Sequence, residues 1–205
     1  ALKEALAEKG KRSSVVVVEC YPGVRQEEIV AGLAAALEPA RVVRSEDAAL
    51  EPADVDRIVE RYLTDDRVFG YMAPFTIDEF YDPGKLAELR RSLEAAEAGV
   101  TLVIGFGASL VADGDLLLYA DLARWEIQLR YRAKEYANWR TSRAETDPLR
   151  LYKRGFFFEW RMADRLKKSI FHAIDYYLDT NVKDQPKMVT RHALFDGLAQ
   201  AAAQP

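Results

Sequence analysis

The chain has 205 residues, 49% of them hydrophobic and 30% charged, with a net charge of −4. That composition suits a single globular domain with a substantial core and excludes a disordered or collagen-like chain. No apolar run approaches the roughly 20 residues of a membrane span and no signal peptide is visible, while the single cysteine, Cys20, excludes an internal disulfide and fits a reducing cytoplasm.

Taken in chain order, Leu2–Lys9 reads as a short charged helix and Val15–Val18 as a buried, β-branched strand. A Pro-Gly turn, Pro22-Gly23, leads into a helix over Gln26–Leu37 that stops before Pro39, and Arg41–Arg44 is a short strand followed by a carboxylate-bearing turn, Ser45-Glu46-Asp47. Pro52 opens a helix to Leu63, and Asp82-Pro83-Gly84 opens another, Lys85 to Ala98, stopped by Gly99. Val100–Ile104 and Leu116–Tyr119 are further strands, and Leu122–Trp139 has the apolar spacing of one long helix. Beyond it, Phe156-Phe157-Phe158 reads as a strand, Met162–Ala173 as a helix, Asp175–Asp179 as the final strand, and Leu194–Pro205 as a helix fading into an Ala/Gln tail. Apolar strands alternating with helices of this length predict one α/β domain over 1–205, a mostly parallel sheet with helices on both faces.

In such sheets ligands bind beyond the carboxyl ends of the strands. Three segments fall there: Cys20–Glu27, Ser45–Asp47 and Gly105–Ser109. The first has the frame of a phosphate-binding loop, strand–turn–helix, without its chemistry. Such a loop needs glycines that turn amides inward, a Lys for the outer phosphates and a Ser/Thr for magnesium. Here Gly23 is retained, Tyr21, Pro22 and Arg25 replace other loop residues, and Gln26 and Glu27 stand where Lys and Ser/Thr belong. Arg25 and the helix N-terminus could still meet an anion, although Glu27 and Glu28 oppose one; a plain strand–turn–helix with acidic first-turn residues explains the segment equally.

The Gly105-Phe106-Gly107 turn places Phe106 where a nucleoside kinase carries a magnesium carboxylate. In the next helix Arg124, Gln128 and Arg132 share one face and Arg130 another flank, as lid arginines of a phosphotransferase or as partners of acidic neighbours. The candidate anion site is therefore Tyr21, Gly23, Arg25, Gln26, Glu27, Asp47, Gly107, Arg130 and Arg132. No catalytic residue is assigned, and isolated His172 and His192 with one cysteine make no zinc site.

Residues 121–170 hold 13 Lys/Arg against 7 Asp/Glu, whereas residues 1–120 hold 13 against 22. That basic segment either docks on the chain's own acidic half or faces an anionic ligand. Its aromatic stretch Phe156–Trp160 can pack in the core or, less in keeping with an acidic chain, stack on nucleic acid.

Val15–Gly23, Phe69-Gly70-Tyr71, Gly105–Ser109, Tyr119–Arg132, Phe158–Asp164 and Asp175–Asn181 together resemble the N-terminal region of long bacterial class I mannose-6-phosphate isomerases, a region similar to uridine-kinase-like P-loop folds. The resemblance implies a nucleoside-kinase-like three-layer sandwich cut from a longer chain, with a cupin isomerase domain after residue 205 as its partner and zinc held there rather than here. It offers either Asp47 or Glu46 as the counterpart of the kinase carboxylate after the second strand. The expectation is a non-catalytic, cytoplasmic accessory domain of sugar-phosphate metabolism with affinity for an anionic metabolite, needing no cofactor, nucleic acid or membrane; oligomerisation is open. The alternatives are an active nucleoside or sugar phosphotransferase in which Arg25, Arg130 and Arg132 hold phosphates and Asp47 is the base, and an interaction module that exposes Phe156–Trp160.

Overall fold

The computed structural model describes residues 1–95 and 98–204. It is an α/β fold: six strands form one mostly parallel sheet flanked by helices, a three-layer sandwich. The strands are β1 (Ser13–Cys20), β2 (Arg41–Arg44), β3 (Gly99–Gly105), β4 (Leu116–Asp121), β5 (Tyr176–Asp179) and β6 (Lys187–Thr190). Their order across the sheet is β2-β3-β1-β4-β5-β6, parallel throughout except for β6, which runs antiparallel to β5. The β-branched run makes β1 the buried centre: Val16, Val17 and Val18 are fully enclosed between β3 and β4. Such a strand has apolar side chains on both faces because helices cover both.

The helices are α1 (Leu2–Lys9), α2 (Gln26–Leu37), α3 (Pro52–Leu63), α4 (Pro83–Glu94), α5 (Ala108–Val111), α6 (Arg124–Arg132), α7 (Pro148–Arg154), α8 (Trp160–Ile170) and α9 (Arg191–Ala202). No helix among the described residues is long and apolar enough to cross a membrane. Helix α4 stops at Glu94, short of the expected Ala98; residues 96, 97 and 205, part of the predicted helices, lie outside the described residues.

Three expectations are corrected. The long helix Leu122–Trp139 is helical only over Arg124–Arg132: Lys134 turns left-handed (φ 57°), and Glu135 N–H closes back on Arg130 C=O at 2.9 Å. The released segment lets Trp139 pack edge-on against Phe80 and Phe106. Phe156–Phe158 is not a strand but part of a π-helical turn, Gly155–Glu159, joining α7 to α8. There the Phe157 carbonyl accepts from Ala73 N–H at 2.8 Å, and a Cβ on Gly155 would lie 3.0 Å from both Trp160 and Tyr131. Because Phe158 and Trp160 are fully buried, Phe156–Trp160 does not form the exposed patch an interaction module needs. Finally, Asp175–Asp179 is not the last strand: β6 follows on its edge, with all four residues exposed.

The path leaves β1 for the outer strand β2, returns through β3 and then crosses β1 to reach β4 and β5. The direction of travel reverses beside β1, which puts the binding crevice of an open α/β sheet at the carboxyl end of that strand.

Candidate functional site

At the carboxyl end of β1 stands Glu19, 1% exposed. Its carboxylate accepts from the backbone amides of Gly107 (2.6 Å) and Ser109 (2.9 Å) and from the Ser109 hydroxyl (2.7 Å). Gly107 is left-handed (φ 93°), the conformation that turns these amides inward, and a Cβ there would lie 2.7 Å from the Tyr81 hydroxyl. Burial pushes the Glu19 pKa up from 4.5 to about 7; the three donors pull it down, and nearby Glu46 pushes it up again.

A second carboxylate lies over the same turn. Glu46 accepts from the Phe106 amide at 3.0 Å and from Gln26 Nε2 at 2.8 Å. Gly105 (φ 143°) makes room for it, since a Cβ would fall 2.1 Å from Glu46 Oε2. Tyr81, its own hydroxyl pKa pushed up by burial, donates to the Phe106 carbonyl, with Ser45 Oγ 3.3 Å from the same hydroxyl. The amides at the end of β3, suited by geometry to an anion, thus carry two carboxylates from the chain itself.

The loop after β1 is equally occupied. Tyr21 N–H donates to Ala120 C=O (2.9 Å) and Val24 N–H to Tyr21 C=O (3.1 Å). Gly23 is left-handed (φ 105°) with Ile127 packed 3.0 Å from where a Cβ would be, and its carbonyl accepts from Arg130 Nη1 at 2.7 Å. Arg130, 1% exposed, also donates to Glu126 (2.8 Å) and to the Thr180 and Asn181 carbonyls (2.7 and 3.3 Å), tying this loop to the one after β5. Arg25 pairs with Glu135 at 2.5 Å and approaches Glu126 at 3.8 Å. Glu27 takes a two-pronged bond from Arg44 (2.6 and 2.8 Å), and Tyr21 donates to Asp164 at 3.0 Å.

Of the predicted residues, the structure therefore gathers Arg25 and Arg130 around Glu126, with Gly23 bonded to Arg130, and Gln26 and Glu27 around Arg44. Gly107 belongs to the Glu19 cradle. Asp47 is exposed and outside these clusters, whereas its neighbour Glu46 points into the site. Arg132 is exposed and lies over the Trp125 ring at 5.5 Å.

Sequence reasoning missed Glu19, Tyr81 and Ser109. The signal for Glu19 was a carboxylate ending a run of four valines, a place where burial requires donors. A flanking network at the ends of β4 and β5 was missed too: Asp121, 6% exposed, accepts from Lys167, from the Tyr177 hydroxyl (2.9 Å) and from the Leu122 amide (2.9 Å). Beside it, Asp164 pairs with Arg124 at 2.5 Å.

Much of the basic segment docks on the chain itself. Arg154 pairs with buried Asp56 (2.9 Å) and Glu159 (3.3 Å), Arg143 with Glu60 (2.9 Å), and Arg140 and Arg165 donate to backbone carbonyls. Among the described residues, no group of three or more His, Cys, Asp or Glu side chains is placed to hold a metal ion.

The family model "Domain of unknown function (DUF8485)" matches residues 1–203, and the chain belongs to that family. No curated protein matches the chain.

Proposed function

We propose that this member of a family of unknown function is a non-catalytic α/β domain whose kinase-like frame is kept for its shape. One observation carries the reading: carboxylates of the chain itself take the amides after β3 and pair with both arginines of the crevice, with Arg25 Nη1 left as a buried group without a partner among the described residues. Glu19 and Glu46 take the amides after β3, and Arg25 and Arg130 are paired with Glu135 and Glu126. Phosphoryl transfer depends on preorganised positive charge around the moving group. A cradle lined by two carboxylates repels that group. To turn onto a phosphate, Arg130 would have to leave Glu126 and Arg25 would have to leave Glu135, bonds of about 1.5–3 kcal/mol each.

The resemblance of its motifs to the N-terminal region of long class I mannose-6-phosphate isomerases supports a role as accessory domain in a sugar-phosphate isomerase-type protein, with the isomerase domain as its partner. Cys20, a buried free thiol, is compatible with a cytoplasmic setting. The test is calorimetry of the purified chain with MgATP and with uridine. The expected result is no binding heat, up to millimolar ligand, that Arg25→Gln removes. ATP turnover that disappears on Arg25→Gln or Gln26→Ala would refute the reading.

A further inference from the structure

The cations that the crevice neutralises are not the only ones this segment carries. A separate cavity of about 80 Å³ opens between the end of α3, the 138–145 segment and α7. That volume admits several water-sized spheres, room enough for a tetrahedral oxyanion. Arg143, Arg150, Lys153 and Arg154 line it together with Thr64 and Thr141, and Glu145 is the one carboxylate in the wall.

The pairing of these groups decides what remains free. Arg154 is held by Asp56 and Glu159, and Arg143 by Glu60. Glu145 turns Oε1 onto the Thr146 and Asp147 amides, both at 2.8 Å. Lys153 is only 4% exposed and meets no carboxylate: its ammonium donates to the Thr64 carbonyl (3.3 Å) and the Asp66 carbonyl, which leaves its third hydrogen uncommitted. Arg150, one turn away on α7 at the exposed rim, makes no hydrogen bond or ion pair among the described residues.

A buried ammonium bonded only to carbonyls is costly without a counter-ion. Burial and then the neighbouring Arg150 hold the Lys153 pKa below the ordinary lysine value, while Asp66, Asp65 and, from the cavity wall, Glu145 act in the opposite sense. The wall itself is built at a strained point. Thr64, the residue that ends α3, is left-handed (φ 51°), and Lys153 fastens its carbonyl.

We propose that this cavity binds a phosphate-sized oxyanion, as the phosphoryl group of a small metabolite or as free phosphate, with Lys153 and Arg150 as its principal donors. The site is independent of the crevice at β1 and of the reading given for it. A single phosphoryl group fits the cavity, and the rest of a phosphate monoester would extend through the rim past Arg150.

The experiment is calorimetry and phosphorus NMR on the intact chain with inorganic phosphate and, separately, with glycerol phosphate, at ionic strength held constant with chloride. Saturable binding of either probe is expected, and a preference between them identifies the source of the phosphoryl group. Arg150→Gln, at an exposed position, should weaken binding about tenfold, the effect of one lost charge-assisted bond. Arg25→Gln and Arg132→Gln should leave it unchanged, which separates this site from the β1 crevice. Lys153→Gln should abolish it; should that variant unfold, Arg150→Glu at the exposed rim is read in its place and should abolish binding by reversing the charge. Absence of saturable binding for both probes, or binding that Arg150→Gln leaves intact, overturns the proposal.

Discussion

Replacing Arg130 by Met removes the guanidinium that joins the loop after β1 to the loop after β5. The side chain is 1% exposed and makes four bonds: to Glu126 Oε1, Gly23 O, Thr180 O and Asn181 O. Glu126 is 21% exposed and can recruit water, so its loss counts little. The Gly23 and Thr180 carbonyls lie in buried residues and would stay unpaired, at about 1–3 kcal/mol each. Methionine recovers part of the packing of the aliphatic stem, and the net destabilisation works out at about 3–5 kcal/mol, the range for breaking a buried charged pair from one side. With a urea slope of about 2–3 kcal/mol per molar for a domain of this size, the midpoint falls by roughly 1–2 M. The control is Arg132→Met. That side chain is exposed and lies over the face of exposed Trp125, so a change within about 0.5 kcal/mol is expected. Urea unfolding followed by tryptophan fluorescence measures both. Equal midpoints for the two variants, with the slope unchanged, would refute the view that Arg130 is a structural staple and restore it as a cation free for ligand.

Glu19 and Glu159 are fully buried carboxylates with pKa values raised by burial from 4.5 to about 7. Their folded-state pKa lies above the unfolded one, so their contribution is fully present below pH 4.5 and is lost as pH rises through about 7, by about 3 kcal/mol for each. The urea midpoint should therefore be higher near pH ~5 than near pH ~8, and Glu19→Gln should flatten that slope; a midpoint that rises across the interval contradicts the burial argument. Gly107→Ala introduces a Cβ at φ 93° and 2.7 Å from the buried Tyr81 hydroxyl. It should cost about 2–4 kcal/mol and lower the melting temperature, and an unchanged melt would mean the turn can relax. Cys20 is 1% exposed with its thiol pKa pushed up by burial, so an aromatic disulfide reagent should modify it in denaturant and not in the native protein. Rapid native labelling would show that β1 opens readily.

The elements that read correctly from sequence are those in which local pattern and burial coincide. Val15–Val18 could only be an enclosed strand, and Pro52 and Pro83 mark the starts of α3 and α4. The misread elements are those in which a distant contact overrode the local pattern. Helix α6 ends early so that Trp139 can reach Phe80 and Phe106, and the three phenylalanines turn π-helical around a glycine that admits Trp160. The candidate site divides in the same way. That the loop after β1 lacks the Lys and Ser/Thr of a phosphate-binding loop was legible in Gln26 and Glu27 alone, since amino-acid type decides which chemistry a position can supply.

What occupies the crevice was settled only by tertiary structure. Glu19 and Glu46 are separated by 60 residues or more from the amides they cap, and Arg130 meets the Gly23 carbonyl across a sequence gap of 107. Sequence determines how many cations the chain has and places their excess in residues 121–170. Folding decides which of them remain free, because a charge is neutralised by its neighbours in space: Arg25 and Arg130 found carboxylates, and Lys153 found only carbonyls.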